Sequence, residues 1–200
     1  MIISIRKFIN NLNIDKKNIP FNFFLMGIFL LASAPAIALL CILISVSLGL
    51  KNNYKTLIRD KLNYFLYFAS TIMLFTSIVS CFSDINEIKN WDPVLNLIGL
   101  GNWIPLFLIY LGSQSYVEKS NQRSTISKVL ILGTIPVIFS CLTQYFLNWY
   151  GPYELFNGLI IWYQRPRYDL YQPITGLFNN PNYAGAWLAM IWPFLLTYLL

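Results

Sequence analysis

The hydrophobic pattern runs in long blocks. Five stretches, 21–50, 62–83, 93–117, 129–153 and 170–200, contain no Asp, Glu, Lys or Arg, and every charged residue falls in the short segments between them. A helix needs about 20 mostly apolar residues to cross a hydrocarbon core about 30 Å thick, and the first four stretches each contain that many. The fifth begins with a polar turn and becomes apolar only near Tyr183. The pattern predicts an all-α, multi-pass transmembrane helical bundle. Its expected parts are a leader over 1–20, a hairpin over 21–50, helices over 62–82, 95–116 and 129–149, an outer loop over 150–180, and a last helix over 181–200.

Charge sets the expected topology. Stretch 21–50 is long for one crossing and has Ser33-Ala34-Pro35 at its centre. If it crosses once, Lys and Arg divide seven to seven between the two sides. If it turns near Pro35, eleven lie on one side and three on the other. Positive residues are retained on the cytoplasmic side, so the hairpin is expected, with arms of about 15 residues, or roughly 22 Å each at 1.5 Å per residue. The N-terminus and the 51–61 and 118–128 loops are then cytoplasmic, and the acidic 83–92 loop is outside. Trp91, Trp103, Trp149, Tyr150 and Tyr153 fall near the expected interfaces, where amphipathic rings concentrate. Pro105, Pro136 and Pro193 lie inside expected helices, where neighbouring helices can satisfy the freed carbonyls.

Composition removes several function classes. The chain is 56% hydrophobic and 11% charged, against about 25% charged in soluble domains. The net charge of +6 does not indicate nucleic acid, because positive-inside retention accounts for the cations. Cys41, Cys81 and Cys141 lie isolated within apolar stretches and read as small hydrophobes rather than a metal or disulfide framework. There is no histidine, so the commonest general base and metal ligand is missing from these residues. Arg6, Lys7 and the later Ala32-Ser33-Ala34 imitate a signal peptide, but the apolar run continues to Leu50, which indicates an uncleaved anchor.

The chemistry concentrates in 150–182. Leu155, Phe156, Leu159, Ile160, Trp162 and Tyr163 recur at helical spacing, which predicts an interfacial helix, either capping the bundle or guiding substrate. Arg165 and Arg167 follow, among Trp162, Tyr163, Tyr168 and Tyr171. A guanidinium presents a planar fork of donors matched to phosphate. The pair is read either as holding a lipid diphosphate or as pairing with Asp169, Glu154 or lipid headgroups. Asn180 precedes Pro181, and proline suits the first position of a helix, so Asn180 is expected as its N-cap. The start of that helix, with Asn182 and Tyr183, then faces the same surface as the arginines, and helix N-termini bind phosphate.

The run GLFNNPNYAGAW, entering an apolar helix behind an aromatic, Arg-bearing loop, resembles the O-antigen ligase family of multi-pass membrane proteins. That family includes O-antigen polymerases and relatives described as bicarbonate transporters. The resemblance covers about 130–200, with a Gly-x-Phe-x-x-Pro-Asn core at Gly176, Phe178, Pro181 and Asn182. GNWIP at Gly101–Pro105 and the N-terminal hairpin add weaker likeness. It implies about a dozen spans in a bacterial plasma membrane, and a glycosyltransferase that moves a glycan from an undecaprenyl-diphosphate carrier to an acceptor at the outer face. The resemblance implies no metal or other cofactor. The implied partners are the lipid-linked donor and membrane lipids, not nucleic acid. Arg165 and Arg167, with Asn180, Asn182 and Tyr183, are the candidates for diphosphate or glycan. The family's acceptor-side histidine has no counterpart in the chain and is expected beyond Leu200, in which case residues 1–200 are an inactive N-terminal portion. The alternative is a transporter, which calls for ionisable groups or broken helices near mid-membrane.

Overall fold

The computed structural model describes residues 18–82, 94–169 and 171–199. Most of the expected leader and the acidic 83–92 loop with Trp91 lie outside the described residues. The fold is 75% helical with almost no strand. Seven α-helices occur among the described residues, and we number them α1 (Ile19–Leu30), α2 (Pro35–Arg59), α3 (Tyr64–Phe82), α4 (Val94–Val117), α5 (Ser120–Gly133), α6 (Ile135–Phe146) and α7 (Pro181–Leu199), with a 3-10 turn at Lys61–Asn63 ahead of α3. Two short strands, β1 (Tyr153–Leu155) and β2 (Ile160–Trp162), lie between α6 and α7. Four helical runs are long and apolar enough to cross a membrane: Pro35–Arg59, Lys61–Phe82, Leu97–Val117 and Ser120–Phe146. The protein is a multi-pass membrane helical bundle; α7, expected as a span, is not among those four.

Contacts divide the chain into two units, Met1–Ile44 with Tyr116–Leu200, and Ser45–Ser115. In the first unit, Asn18 caps α1 by accepting from the Phe21 N–H at 3.3 Å, and Pro20 sits in the first turn. After the break at 31–34, Pro35 opens α2, the position where its fixed φ and missing N–H cost nothing. The arms pack closely. A β-carbon on Gly27 would lie 2.6 Å from Ile42 Cγ1 and 3.1 Å from the Ala38 carbonyl oxygen. The arms have 12 and 25 residues instead of about 15 each. Residues 51–59 have no proline or glycine, so the helix continues until Asp60, whose carboxylate accepts from Leu62 N–H at 3.0 Å.

The expected 118–128 loop is also largely helix. Arg123 Nη1 donates to the carbonyls of Val117 and Glu118 at 2.9 and 2.7 Å, satisfying groups that the end of α4 leaves open. Only Glu118 and Lys119 then connect α4 to α5. The run 120–146 is interrupted at Thr134, ahead of Pro136 in the first turn of α6, because proline offers no N–H to the preceding turn. α1 packs on α5 and on the end of α4 through Phe21, Phe24, Leu25, Val129 and Tyr116, and Gly133 lets the α5 backbone approach Phe29. A second cluster joins Ala32, Val137, Leu177, Trp187 and Ile191.

The second unit holds an amide pair, Asn63 buried and Gln114 half-buried. Asn63 Nδ2 donates to Gln114 Oε1 at 3.2 Å, Gln114 Nε2 returns a bond to Asn63 Oδ1 at 2.7 Å, and Asn63 also donates to Leu57 O at 3.0 Å. Such bonds join helices where hydrocarbon offers the amides no other partner.

Where the spacing of Leu155 to Tyr163 predicts an interfacial helix, residues 153–162 form an antiparallel hairpin instead. Tyr153 pairs with Trp162, Glu154 with Ile161 and Leu155 with Ile160. The residues between the strands decide this. Phe156, Asn157 and Gly158 have φ of 54°, 54° and 85°, a left-handed run that no right-handed helix accommodates. Asn-Gly between apolar runs is a hairpin signal, and it overrides the helical spacing of the flanking residues.

Candidate functional site

The loop after β2 is built on one glutamine. Gln144 is fully buried on the last turn of α6, and its amide uses all four hydrogen-bonding positions. Nε2 donates to Arg165 O at 2.7 Å and to Thr175 Oγ1 at 3.1 Å. Oε1 accepts from Thr175 N–H at 3.0 Å and from Gly176 N–H at 2.9 Å. Thr175 Oγ1 accepts in turn from Arg165 N–H at 3.1 Å. Beside it, Gln164 Nε2 donates to Ser140 O and Thr143 Oγ1, both at 3.2 Å. Two backbone bonds, Tyr163 N–H to Leu177 O and Gln164 N–H to Gly176 O, both 3.1 Å, close the loop on itself. Gly176 is needed here twice over: its φ is +55°, and a β-carbon would meet Cys141 Sγ at 2.7 Å.

This frame places the two arginines differently. Arg165 is held by its backbone while its side chain is exposed, and among the described residues its guanidinium has no hydrogen bond or ion pair. Arg167 is half-buried. Its Nε donates to Gln172 O at 3.0 Å and its guanidinium lies 5.2 Å from the centre of the Tyr145 ring, within cation–π range. Asp169 is occupied locally, accepting from the N–H groups of Tyr171 and Gln172 at 2.8 Å.

The other three candidates belong to the start of α7. Asn180 Oδ1 accepts from Asn182 N–H at 2.9 Å, the N-cap bond, and Asn180 O accepts from Tyr183 N–H at 3.1 Å. Pro181 has no N–H, so the first turn is satisfied internally, and Asn180 spends its side-chain oxygen on the cap. The side chains of Asn182 and Tyr183 are exposed. Segment 175–177 links this helix start to the arginine loop: Leu177 is buried among Val137 and Trp187, and Phe178 packs against the Trp187 ring, centroids 6.4 Å apart.

The residues that shape the loop, Gln144, Gln164 and Thr175, escape a reading of the sequence. Gln144 alone leaves a trace, as an amide in an otherwise apolar stretch. Among the described residues no group of three or more His, Cys, Asp and Glu side chains is placed to hold a metal ion. Comparisons with protein-family models, with curated proteins and with solved structures gave no match, so the reading of this site rests on its own residues.

Proposed function

We propose that the chain is part of a glycosyltransferase of the O-antigen ligase type, transferring a glycan from an undecaprenyl-diphosphate carrier to an acceptor at the outer face of a bacterial plasma membrane. The N-terminus is cytoplasmic and the 150–180 loop outside, in line with the eleven-to-three distribution of Lys and Arg. The observation that carries the reading is Arg165: an exposed guanidinium without a partner among the described residues, on a backbone braced by Gln144 and Thr175. The braced backbone fixes where the side chain starts, and a guanidinium not engaged elsewhere is able to meet the charge developing on a departing diphosphate. Arg167 serves the same anion secondarily, since Gln172 and Tyr145 already engage it. A transporter reading draws less support, because the buried polar residues among those described are all uncharged serines, threonines, asparagines and glutamines.

The test is in-vitro transfer from a lipid-diphosphate glycan by the full-length protein in membranes, normalised to folded protein. Arg165→Ala lowers the rate by about 10²–10³, the range seen when one preorganised donor is removed, and Arg165→Lys restores part of it, because lysine keeps the charge without the fork. Abundance stays the same, since an exposed arginine contributes little to folding. A near-normal rate in Arg165→Ala removes the arginine from the mechanism and the proposal with it.

A further inference from the structure

A groove of about 600 Å³ lies between the hairpin and α6. Phe139, Trp149, Tyr153 and Leu155 line it, and each is 43–55% exposed. Strand pleating puts Tyr153, Leu155 and Trp162 on one face of the hairpin and Glu154 with Ile161 on the other. Trp162 is fixed there by its indole N–H, which donates to Ser33 O at 2.8 Å.

Gln164 also lines the groove, although it is only 3% exposed. Its amide orientation is determined, because Ser140 O can only accept and must face the nitrogen. Both Nε2 protons are used, on Ser140 O and Thr143 Oγ1. Oε1 receives no hydrogen bond among the described residues. The groove therefore combines aromatic walls with an acceptor that lacks a donor. Oε1 is accessible from the groove, where a donor carried by an occupant can take the place of water.

We propose that the groove is a subsite for a single glycosyl ring. Trp149 and Tyr153 cover the ring's C–H face, and Gln164 Oε1 accepts from a ring hydroxyl. Sugar C–H groups carry slight positive charge and meet the negative face of an aromatic ring, while the hydroxyls supply the donor the groove lacks. An alkyl chain matches the walls and leaves Oε1 unpaired. A quaternary ammonium group also suits aromatic walls, and Glu154 is among the residues lining the groove, but such a group brings no N–H or O–H donor for Oε1. The volume lies within the range of about 300–1,000 Å³ usual for small-molecule sites. The subsite extends the glycan-transfer reading but rests on the groove alone.

The experiment is saturation-transfer NMR on the protein in phosphatidylglycerol nanodiscs. The probes are the methyl glycosides of glucose, galactose and N-acetylglucosamine, with tetramethylammonium and octanol as comparators. None of the glycosides carries phosphate, so their binding is read independently of the arginines and of transfer. We expect transfer to the ring protons of at least one glycoside. Trp149→Ala and Tyr153→Ala, both at exposed positions, lower it at least fivefold, and Tyr54→Ala, an exposed aromatic outside the groove, leaves it unchanged. Absence of transfer to all three glycosides overturns the proposal, as does glycoside binding that both groove variants retain. A groove-dependent signal from tetramethylammonium or octanol in place of the sugars also overturns it.

Discussion

Replacing Gln144 by leucine keeps the side chain's approximate volume and removes all four hydrogen bonds between its amide and the arginine loop. Arg165 O, Thr175 N–H and Gly176 N–H each lose their bond to the amide, at a site where Gln144 is fully enclosed. Leaving a buried backbone group unpaired costs about 1–3 kcal/mol, so three such groups cost on the order of 3 kcal/mol even at the lower figure. The helices need not absorb that cost. The loop can open and hydrate, and 3 kcal/mol at about 1.4 kcal/mol per decade raises the open fraction by about 10². Limited trypsin digestion of the protein in nanodiscs reads this directly. Cleavage follows Arg167, because Arg165 precedes a proline. When opening and closing are fast relative to cleavage, the rate tracks the open population. Gln144→Leu is expected to be nicked about 10² faster than the parent, while its helix content is unchanged. An increase below about threefold, or about 0.6 kcal/mol, refutes the assignment of Gln144 as the brace. Gln144→Glu keeps the two acceptor contacts to Thr175 and Gly176 and loses both donors, and is expected to fall between them.

The remaining predictions address the helical frame. In a double-mutant cycle, Asn63→Ala and Gln114→Ala are expected to couple by about 0.6–1.7 kcal/mol, the range found for interhelical hydrogen bonds in membranes; additive effects on unfolding in detergent would show that the amide pair contributes nothing. Gly176→Ala meets both a left-handed φ and the Cys141 sulfur, and is expected to destabilise the loop by about 1–3 kcal/mol. Cys141→Ala should recover the steric part and not the backbone part, and complete recovery in the protease assay would disprove the φ requirement. A cysteine replacing the exposed Lys55 in a Cys-free background is expected to be shielded from a membrane-impermeant thiol reagent in intact cells; labelling from outside would reverse the cytoplasmic assignment of this segment.

The arrangement of charge determined that this is a membrane protein of several helices. Apolar blocks of this length leave hydrocarbon as their only favourable surroundings, and backbone groups there must be satisfied within helices. The start of α7 was legible for a similar reason: Asn180 and Pro181 act within one turn, and a cap depends on neighbours in sequence. The hairpin at 153–162 departs from the helix that the spacing of six apolar residues predicts, because the left-handed backbone at Asn157-Gly158 turns the chain. Of the loop frame, only Gln144 is legible, as an amide in an apolar stretch. Gln144 meets residues 21–32 positions away, and Gln164 meets Ser140 and Thr143 across a comparable separation. Hydropathy records where a segment resides, whereas a fully satisfied buried amide depends on the approach of two backbones, which only the tertiary structure decides.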